Sequence, residues 1–363
     1  MYFKGDALFT TKLLPVLNEL IPNVEIDYLV KPRAKEMLIN NDFIREIIEF
    51  DYLKTADYEE NSGFRFDKKK SLLKLIRKRK YDLCIDLTGK YSTALLALYG
   101  GFKYSAGINY NGFGFCYSKF IPVDTQNSLG HLSDKYLIVL KDVFEIDDNK
   151  WNEIAKKIHS ECIYKITEEE KITAAKILGG LFPNPVLPLI SLQTTAGWKA
   201  KQWTHESYAG LIRILLKDYN VVLLGSESDT EFNNFILDSV GSNFRKYFIS
   251  QSMRINSAII SLSDAFVGCD SAGLQIAGIT GTSAVGLFGP TNPDFSAPAG
   301  DNIRIIYNEL PCSAPKDSQY CTRNAGKTCR TLDCMKSIEI ETVLKHVRDL
   351  ILNHSKKTFA FNE

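Results

Sequence analysis

The residues best able to do chemistry sit where apolar runs give way to small residues. Ala265-Phe266-Val267-Gly268-Cys269-Asp270-Ser271-Ala272-Gly273-Leu274-Gln275 joins a short strand-like run to helical spacing that continues to Ile279. A strand feeding a helix through such a turn presents free backbone N–H groups at the positive helix end, where phosphate is held. The amides of Ser271, Ala272 and Gly273 are the donors in that reading. Asp270 ends the strand and suits sugar hydroxyls rather than phosphate, so the stretch suggests a diphosphate joined to a sugar. A second short strand, Ser283 to Leu287, follows and runs into Phe288-Gly289-Pro290-Thr291.

Thr194-Thr195-Ala196-Gly197-Trp198-Lys199-Ala200-Lys201-Gln202-Trp203 lies between a predicted strand and a predicted helix. The hydroxyls of Thr194 and Thr195 are donors there. Lys199 and Lys201 can act as point charges on a departing diphosphate. Gly225-Ser226-Glu227-Ser228-Asp229 has the same placement; Glu227 and Asp229 can accept ribose hydroxyls, and an N-cap of the next helix by Ser228 or Asp229 is an equal alternative. Gly5-Asp6 opens a helical pattern. Asp is a favoured N-cap, and the same carboxylate can serve as a general base.

Cys312, Cys321, Cys329 and Cys334 fall in one 23-residue stretch, with eight, seven and four intervening residues. None is the two-residue spacing of a strong zinc motif, yet half of the eight cysteines are gathered here, so a structural metal or redox-linked cluster is weighed. Cys84, Cys116, Cys162 and Cys269 read as small apolar fillers. Lys68, Lys69, Lys70, Lys74, Arg77, Lys78, Arg79 and Lys80 form the densest charge run, a solvated helix face or a dock for an acidic acceptor or anionic membrane.

The elements that must position these residues alternate. Helical patterns run over Ala7 to Leu20, Arg33 to Asn40, Lys68 to Lys80, Tyr91 to Tyr99 and His131 to Val143. Strand patterns run over Val24 to Val30, Ile44 to Phe50, Tyr81 to Leu87 and Ser105 to Asn109. After a crossover from Glu145 to Pro188 the rhythm repeats, and an amphipathic helix over Glu339 to Leu352 closes the chain. Such alternation means parallel sheets covered on both faces. The fold class is α/β, with two doubly wound domains over 1–160 and 161–363. The ligand is expected in a cleft at the strands' carboxyl ends, and the last helix is expected to pack back toward the N-terminal half.

The 363 residues are 45% hydrophobic and 24% charged, the balance of a globular protein, with a net charge of +1. That charge draws the chain to neither nucleic acid nor lipid as a whole. No apolar run reaches the ~20 residues of a membrane helix, and Lys4 and Asp6 interrupt any signal peptide. A reducing cytoplasm is expected for thiols in this number.

Taken in order, these motifs resemble glycosyltransferase family 9, the ADP-heptose:lipopolysaccharide heptosyltransferases, over nearly the whole chain. Gly5 to Thr11 is similar to the family's Gly-Asp-x-Leu-x-Thr motif, Thr194 to Trp203 to its Lys-x-Trp loop, and Asp270-Ser271 with Phe288-Gly289-Pro290-Thr291 to its donor signature. Cys312 and Cys334-Met335 echo a cysteine loop of many members. The resemblance implies a GT-B architecture and an inverting reaction needing no metal or other cofactor. Acceptor would bind the N-terminal domain and nucleotide sugar the C-terminal one. Asp6 matches the family's base and Lys201 its phosphate lysine; Thr10, Lys74 and Arg77 are assigned to the acceptor side. Ala272 stands where the family has Gly and Gln275 where it has His. Gln275 can donate to phosphate but carries no charge.

The resulting expectation is a cytoplasmic heptosyltransferase, peripheral at the inner membrane face, moving heptose from ADP-heptose to the lipopolysaccharide core or a lipid A-linked acceptor. Alternatives are another nucleotide sugar, a protein acceptor, or a non-catalytic sugar-nucleotide binding protein. One further expectation concerns the start. Only Met1 to Lys4 precede Gly5, where a central first strand belongs, so a short Ile/Val-rich segment upstream is expected to complete the sheet.

Overall fold

The computed structural model describes residues 3–50, 62–109, 111–121, 130–157, 162–183, 186–324, 326 and 328–353. The chain divides into two compact units, Met1–Ile163 and Tyr164–Glu363.

The second unit is built on one parallel sheet. Its strands are β6 (Leu189–Gln193), β7 (Asn220–Gly225), β8 (Phe248–Ser250), β9 (Ala265–Cys269), β10 (Ser283–Phe288) and β11 (Ile303–Tyr307), numbered after the five of the first unit. Among the described residues they lie in the order β11-β10-β9-β6-β7-β8, every neighbouring pair parallel. Ile190, Leu192, Val221, Leu223, Val267, Val285 and Leu287 are buried, as expected of strands covered on both faces. The strand order reverses between β6 and β9, which places the switch point of the sheet at their shared carboxyl ends. Helix Ile340–Asn353, expected to pack back toward the N-terminal half, buries Val343, Val347 and Leu350 in the second unit's own core. The helix Glu168–Leu181 opens with a capping box in which Thr167 and Glu170 satisfy each other's backbone N–H groups.

The first unit has its parallel pairing in two pieces. β1 (Ile26–Val30) pairs with β2 (Ile44–Glu49), and β3 (Leu83–Asp86) with β4 (Tyr104–Ile108) and then β5 (Lys119–Ile121). Among the described residues no ladder joins the two pieces. Side chains reach across instead: Arg79 and the Tyr81 phenol, just ahead of β3, donate to the buried carboxylate of Asp27 on β1, which Arg45 of β2 meets from within its own sheet. Burial pushes that carboxyl up, but the three donors outweigh it and hold it at about 2.

Near the start, the structure departs from the sequence reading. Met1 and Tyr2 lie outside the described residues, and Lys4 already begins a helix, Lys4–Thr10, with the extended Phe3 as N-cap. Lys4 is therefore helical rather than part of a strand. The helix expected to run unbroken to Leu20 stops at Thr10 and restarts as Leu13–Leu20. Pro15 has no N–H for the Thr11 carbonyl, and the Thr10 and Thr11 hydroxyls turn back onto Ala7 and Leu8. Helix Asp148–Lys157 and strands β5, β8 and β11 are additions to the elements expected.

Candidate functional site

β6 and β9 run side by side with Gln193 opposite Gly268, so the residues that leave the two strands emerge together. From β6 comes the loop with Trp198 and the 3₁₀ turn Lys199–Lys201; from β9 comes Asp270. Lys201 Nζ donates to Asp270 Oδ2 at 2.5 Å, and both side chains are about nine-tenths buried. Thr291, just past β10, donates its hydroxyl to the same Oδ2 at 2.9 Å, and Ser296 reaches Oδ1 at 3.3 Å. The Lys201 ammonium also sits 4.0 Å from the centre of the Trp198 ring. Three loops thus meet on one carboxylate, with a cation held against it. Lys199, in the same turn, is exposed.

Directly after Asp270 the helix Ala272–Ile279 starts, with Ser271 extended at its N-cap and making no side-chain cap. The Ser271 hydroxyl instead lies 3.4 Å from Gln193 Oε1. Gly273 lets the Gln193 amide lie close against the helix start, since a Cβ there would stand 2.0 Å from Gln193 Oε1 and push that side chain aside. The open amides of the first turn and the Lys201 ammonium offer positive charge in one place, and Asp270 offers acceptors beside it.

Several residues expected here are occupied elsewhere. Gln275 is buried and donates one N–H to the Ser296 carbonyl at 2.5 Å, which braces the 293–296 turn. Thr194 is fully buried and donates to Asn233 Oδ1 at 2.5 Å. Thr195 beside it is 7% exposed. Asp229 closes a capping box on Ser226, accepting from its N–H at 2.7 Å and its hydroxyl at 2.6 Å, both at Oδ2, and makes no side-chain cap bond to the helix Thr230–Val240 that follows. Glu227 is exposed just past β7.

In the first unit, Asp6 is half-buried in the first turn of Lys4–Thr10, at the third helical position rather than at the cap. There it faces the positive helix end. Burial, and after it the nearby Asp6 charge, push the Tyr28 phenol up, against the hydrogen bond it shares with Thr10. Thr10 is 1% exposed and bonded to Ala7 and Tyr28, which removes it from any acceptor surface. Lys74 and Arg77 are exposed on Ser62–Arg79, and Arg77 Nε donates to the Tyr99 carbonyl. A cavity of ≈ 190 Å³ lies beside them, walled by Leu29, Val30, Leu72 and Leu96 with Lys69 and Lys90 in its lining; neither Lys74 nor Arg77 lines it.

Cys312, Cys321, Cys329 and Cys334 all line one small cavity beside Gly289 and Pro290. They are free thiols, and among the described residues no three His, Cys, Asp or Glu side chains are placed to hold a metal ion. Backbone N–H groups of Leu332 and Thr331 lower the Cys329 thiol, whereas burial pushes Cys334 up to about 11. The loop reaches the site through Tyr320, whose backbone bridges Thr291 and whose ring lies 6.2 Å from Trp198.

Trp198, Ser296 and Asn233 were not singled out from the sequence. The first was legible as an aromatic three residues before a lysine; the other two depend on folding alone.

The family model described as glycosyltransferase family 9 (heptosyltransferase) matches residues 70–325. The chain belongs to this family. It is 24% identical over 329 residues to lipooligosaccharide heptosyltransferase 2 of Haemophilus influenzae, covering 84% of this chain and 87% of that one. It is 33% identical over 112 residues to lipopolysaccharide heptosyltransferase 2 of Salmonella typhimurium, covering 30% and 32%. The solved E. coli ADP-heptose lps heptosyltransferase II superposes with a TM-score of 0.74 at 20% identity over 97% of each chain. A family 9 glycosyl transferase from Veillonella parvula gives 0.75 at 19%, over 97% and 96%. At these identities the structural likeness bears on the fold, which is GT-B with two Rossmann-like α/β domains. This family 9 glycosyltransferase has no described helix long and apolar enough to cross a membrane.

Proposed function

We propose that this glycosyltransferase is inverting and metal-independent, and moves a heptose from ADP-heptose to the lipopolysaccharide inner core. The observation that carries the reading is the Lys201–Asp270 pair at 2.5 Å, set beside the open start of helix Ala272–Ile279 at the sheet's switch point. The relatives' names, lipooligosaccharide and lipopolysaccharide heptosyltransferases, support the donor and acceptor classes.

In this reading an acceptor hydroxyl attacks the anomeric carbon of the heptose from the face opposite the diphosphate. The bond from that carbon to the β-phosphate oxygen breaks, and ADP departs with the electron pair. Asp6 takes the hydroxyl proton. Lys201 and the amides of Ser271, Ala272 and Gly273 offset the charge that grows on the departing phosphate, the part a metal ion would otherwise take. Asp270 accepts from sugar hydroxyls, and exposed Glu227 from the ribose. Exposed Lys69, Lys74 and Lys78 on Ser62–Arg79 support a cytoplasmic place at an anionic membrane face.

One observation favours a second reading. Gln275 gives one of its two N–H donors to the Ser296 carbonyl and carries no charge, so a neutral amide stands at the position where the family's His is expected. Another nucleotide hexose as donor fits that difference. The test is turnover with deacylated inner-core acceptors, read by product mass and ADP release, across ADP-heptose and other nucleotide sugars. Transfer from ADP-heptose supports the first reading, transfer only from another donor the second, and binding without turnover of any donor sinks both.

A further inference from the structure

We infer that Trp198 is a positioning residue for the donor lysine: its indole face holds the Lys201 ammonium in place while the ammonium changes partner from Asp270 to the donor diphosphate. The inference rests on the reading of Lys201 as the diphosphate lysine.

Without donor, Lys201 Nζ has two neighbours of different kinds, the Asp270 carboxylate at 2.5 Å and the Trp198 ring at 4.0 Å. An incoming diphosphate competes with the carboxylate, because both are anions seeking the same N–H donors. It does not compete with the ring face, which attracts a cation without hydrogen bonding. Asp270 can release the lysine without being orphaned, since Thr291 at 2.9 Å and Ser296 at 3.3 Å keep both its oxygens supplied. A lysine stem is flexible, and ordering one costs side-chain entropy; a ring that holds the ammonium in both states removes most of that cost from the binding step.

The ring itself is braced. Tyr320 lies 6.2 Å from it at 59°, and the Tyr320 backbone is fixed by its bridge to Thr291 and by the neighbouring bond from Asn292 N–H to the Gln319 carbonyl at 3.0 Å. On the other side Gly326, with φ +80°, would place a Cβ 2.5 Å from the Ala200 Cβ, so the loop packs directly on the lysine turn. The segment that carries the four thiols thus supports both Lys201, through Trp198, and Asp270, through Thr291.

The experiment measures ADP affinity by calorimetry and acylation of Lys201 by a succinimidyl ester, read by peptide mass, in the full chain. Trp198→Leu should weaken ADP roughly 2–30-fold and raise the acylation rate. Trp198→Phe, which keeps a ring face, should restore both to near wild type. Tyr320→Ala removes only the brace and should give a smaller change of the same kind, which serves if Trp198→Leu does not fold. In a Lys201→Met background, Trp198→Leu should cost nothing further. Unchanged ADP affinity in both Trp198→Leu and Tyr320→Ala overturns the inference, as does an equal loss in the Lys201→Met background, which would mean that the ring meets the nucleotide directly. If Lys201→Met itself leaves ADP affinity intact, the donor reading of Lys201 fails, and the acylation rate then decides the placement alone: no increase in Trp198→Leu overturns it.

Discussion

Lys201 and Asp270, 69 residues apart in the chain, close to 2.5 Å because β6 and β9 end side by side where the strand order reverses. Each comes from a different strand-to-helix loop, and neither loop alone makes a site. Removing the cation while leaving the fold is the direct probe. Lys201→Ala should weaken ADP by about 10–100-fold, the loss expected for a charge-assisted contact. Calorimetry that returns the wild-type affinity would end this assignment.

Asp6 is the residue proposed to take the acceptor's proton, and its place in the first turn makes the test clean. Asp6→Asn should lower turnover by ~10²–10⁴ with ADP affinity unchanged. The weaker interaction with the helix end by itself costs ~0.3–1 kcal/mol. Normal turnover in a steady-state assay would remove Asp6 from the mechanism.

Gln275 separates bracing from ligand binding. Gln275→Leu leaves the Ser296 carbonyl without its donor and should reduce stability by about 1–3 kcal/mol in urea titration, with ADP affinity near wild type. Gln275→His can still donate one N–H and should be milder on stability. A large fall in ADP affinity for either variant, with stability retained, would show that the side chain leaves Ser296 to meet the donor.

Asp27 gives the first unit a pH dependence whose sign is set by its donors. Burial raises its pKa, but Arg45, Tyr81 and Arg79 bring it to about 2, below the ordinary 3.8. A carboxylate with a depressed folded pKa contributes stability that is fully present above about 3.8 and is lost as pH falls toward about 2. Asp27→Asn should remove on the order of 2 kcal/mol at neutral pH and flatten the acid limb of the stability curve. An acid limb identical in the two proteins would contradict it.

Cys329 should be the most reactive thiol of its loop. Hydrogen bonds from Leu332 and Thr331 lower its pKa, so more thiolate is present at pH 7 than at Cys334 or Cys269, both pushed up to about 11. A short iodoacetamide pulse read by peptide mass should label Cys329 first, with the advantage growing as pH is lowered from 8 to 7. Preferential labelling of Cys334 or Cys269 would reverse this account.

The α/β class, the alternation of elements and the places of Lys201 and Asp270 were legible because each rests on local rules. Apolar runs of strand length between helical periods announce parallel sheets, and small residues after a strand mark a turn into a helix. Ala265 to Ile279 was read almost to the residue on those grounds. Strands of three residues, β5 and β8, carry too little pattern to stand out, and the break at Thr11 needs the hydroxyls of Thr10 and Thr11 acting together with Pro15.

What the sequence by itself determined is which groups could serve: a cation, a carboxylate, free amides at a helix start and a carboxylate near the N-terminus. Tertiary structure decided which of them remain available. Thr194, Thr10 and Gln275 have the right chemistry and adjacent positions, yet each is engaged by a partner that only folding supplies, Asn233, Tyr28 and Ser296 in turn. A buried polar group must find a partner within the protein, because water is no longer there to provide one. Spacing along the chain shows what a side chain can donate or accept, and packing alone settles where that capacity is spent.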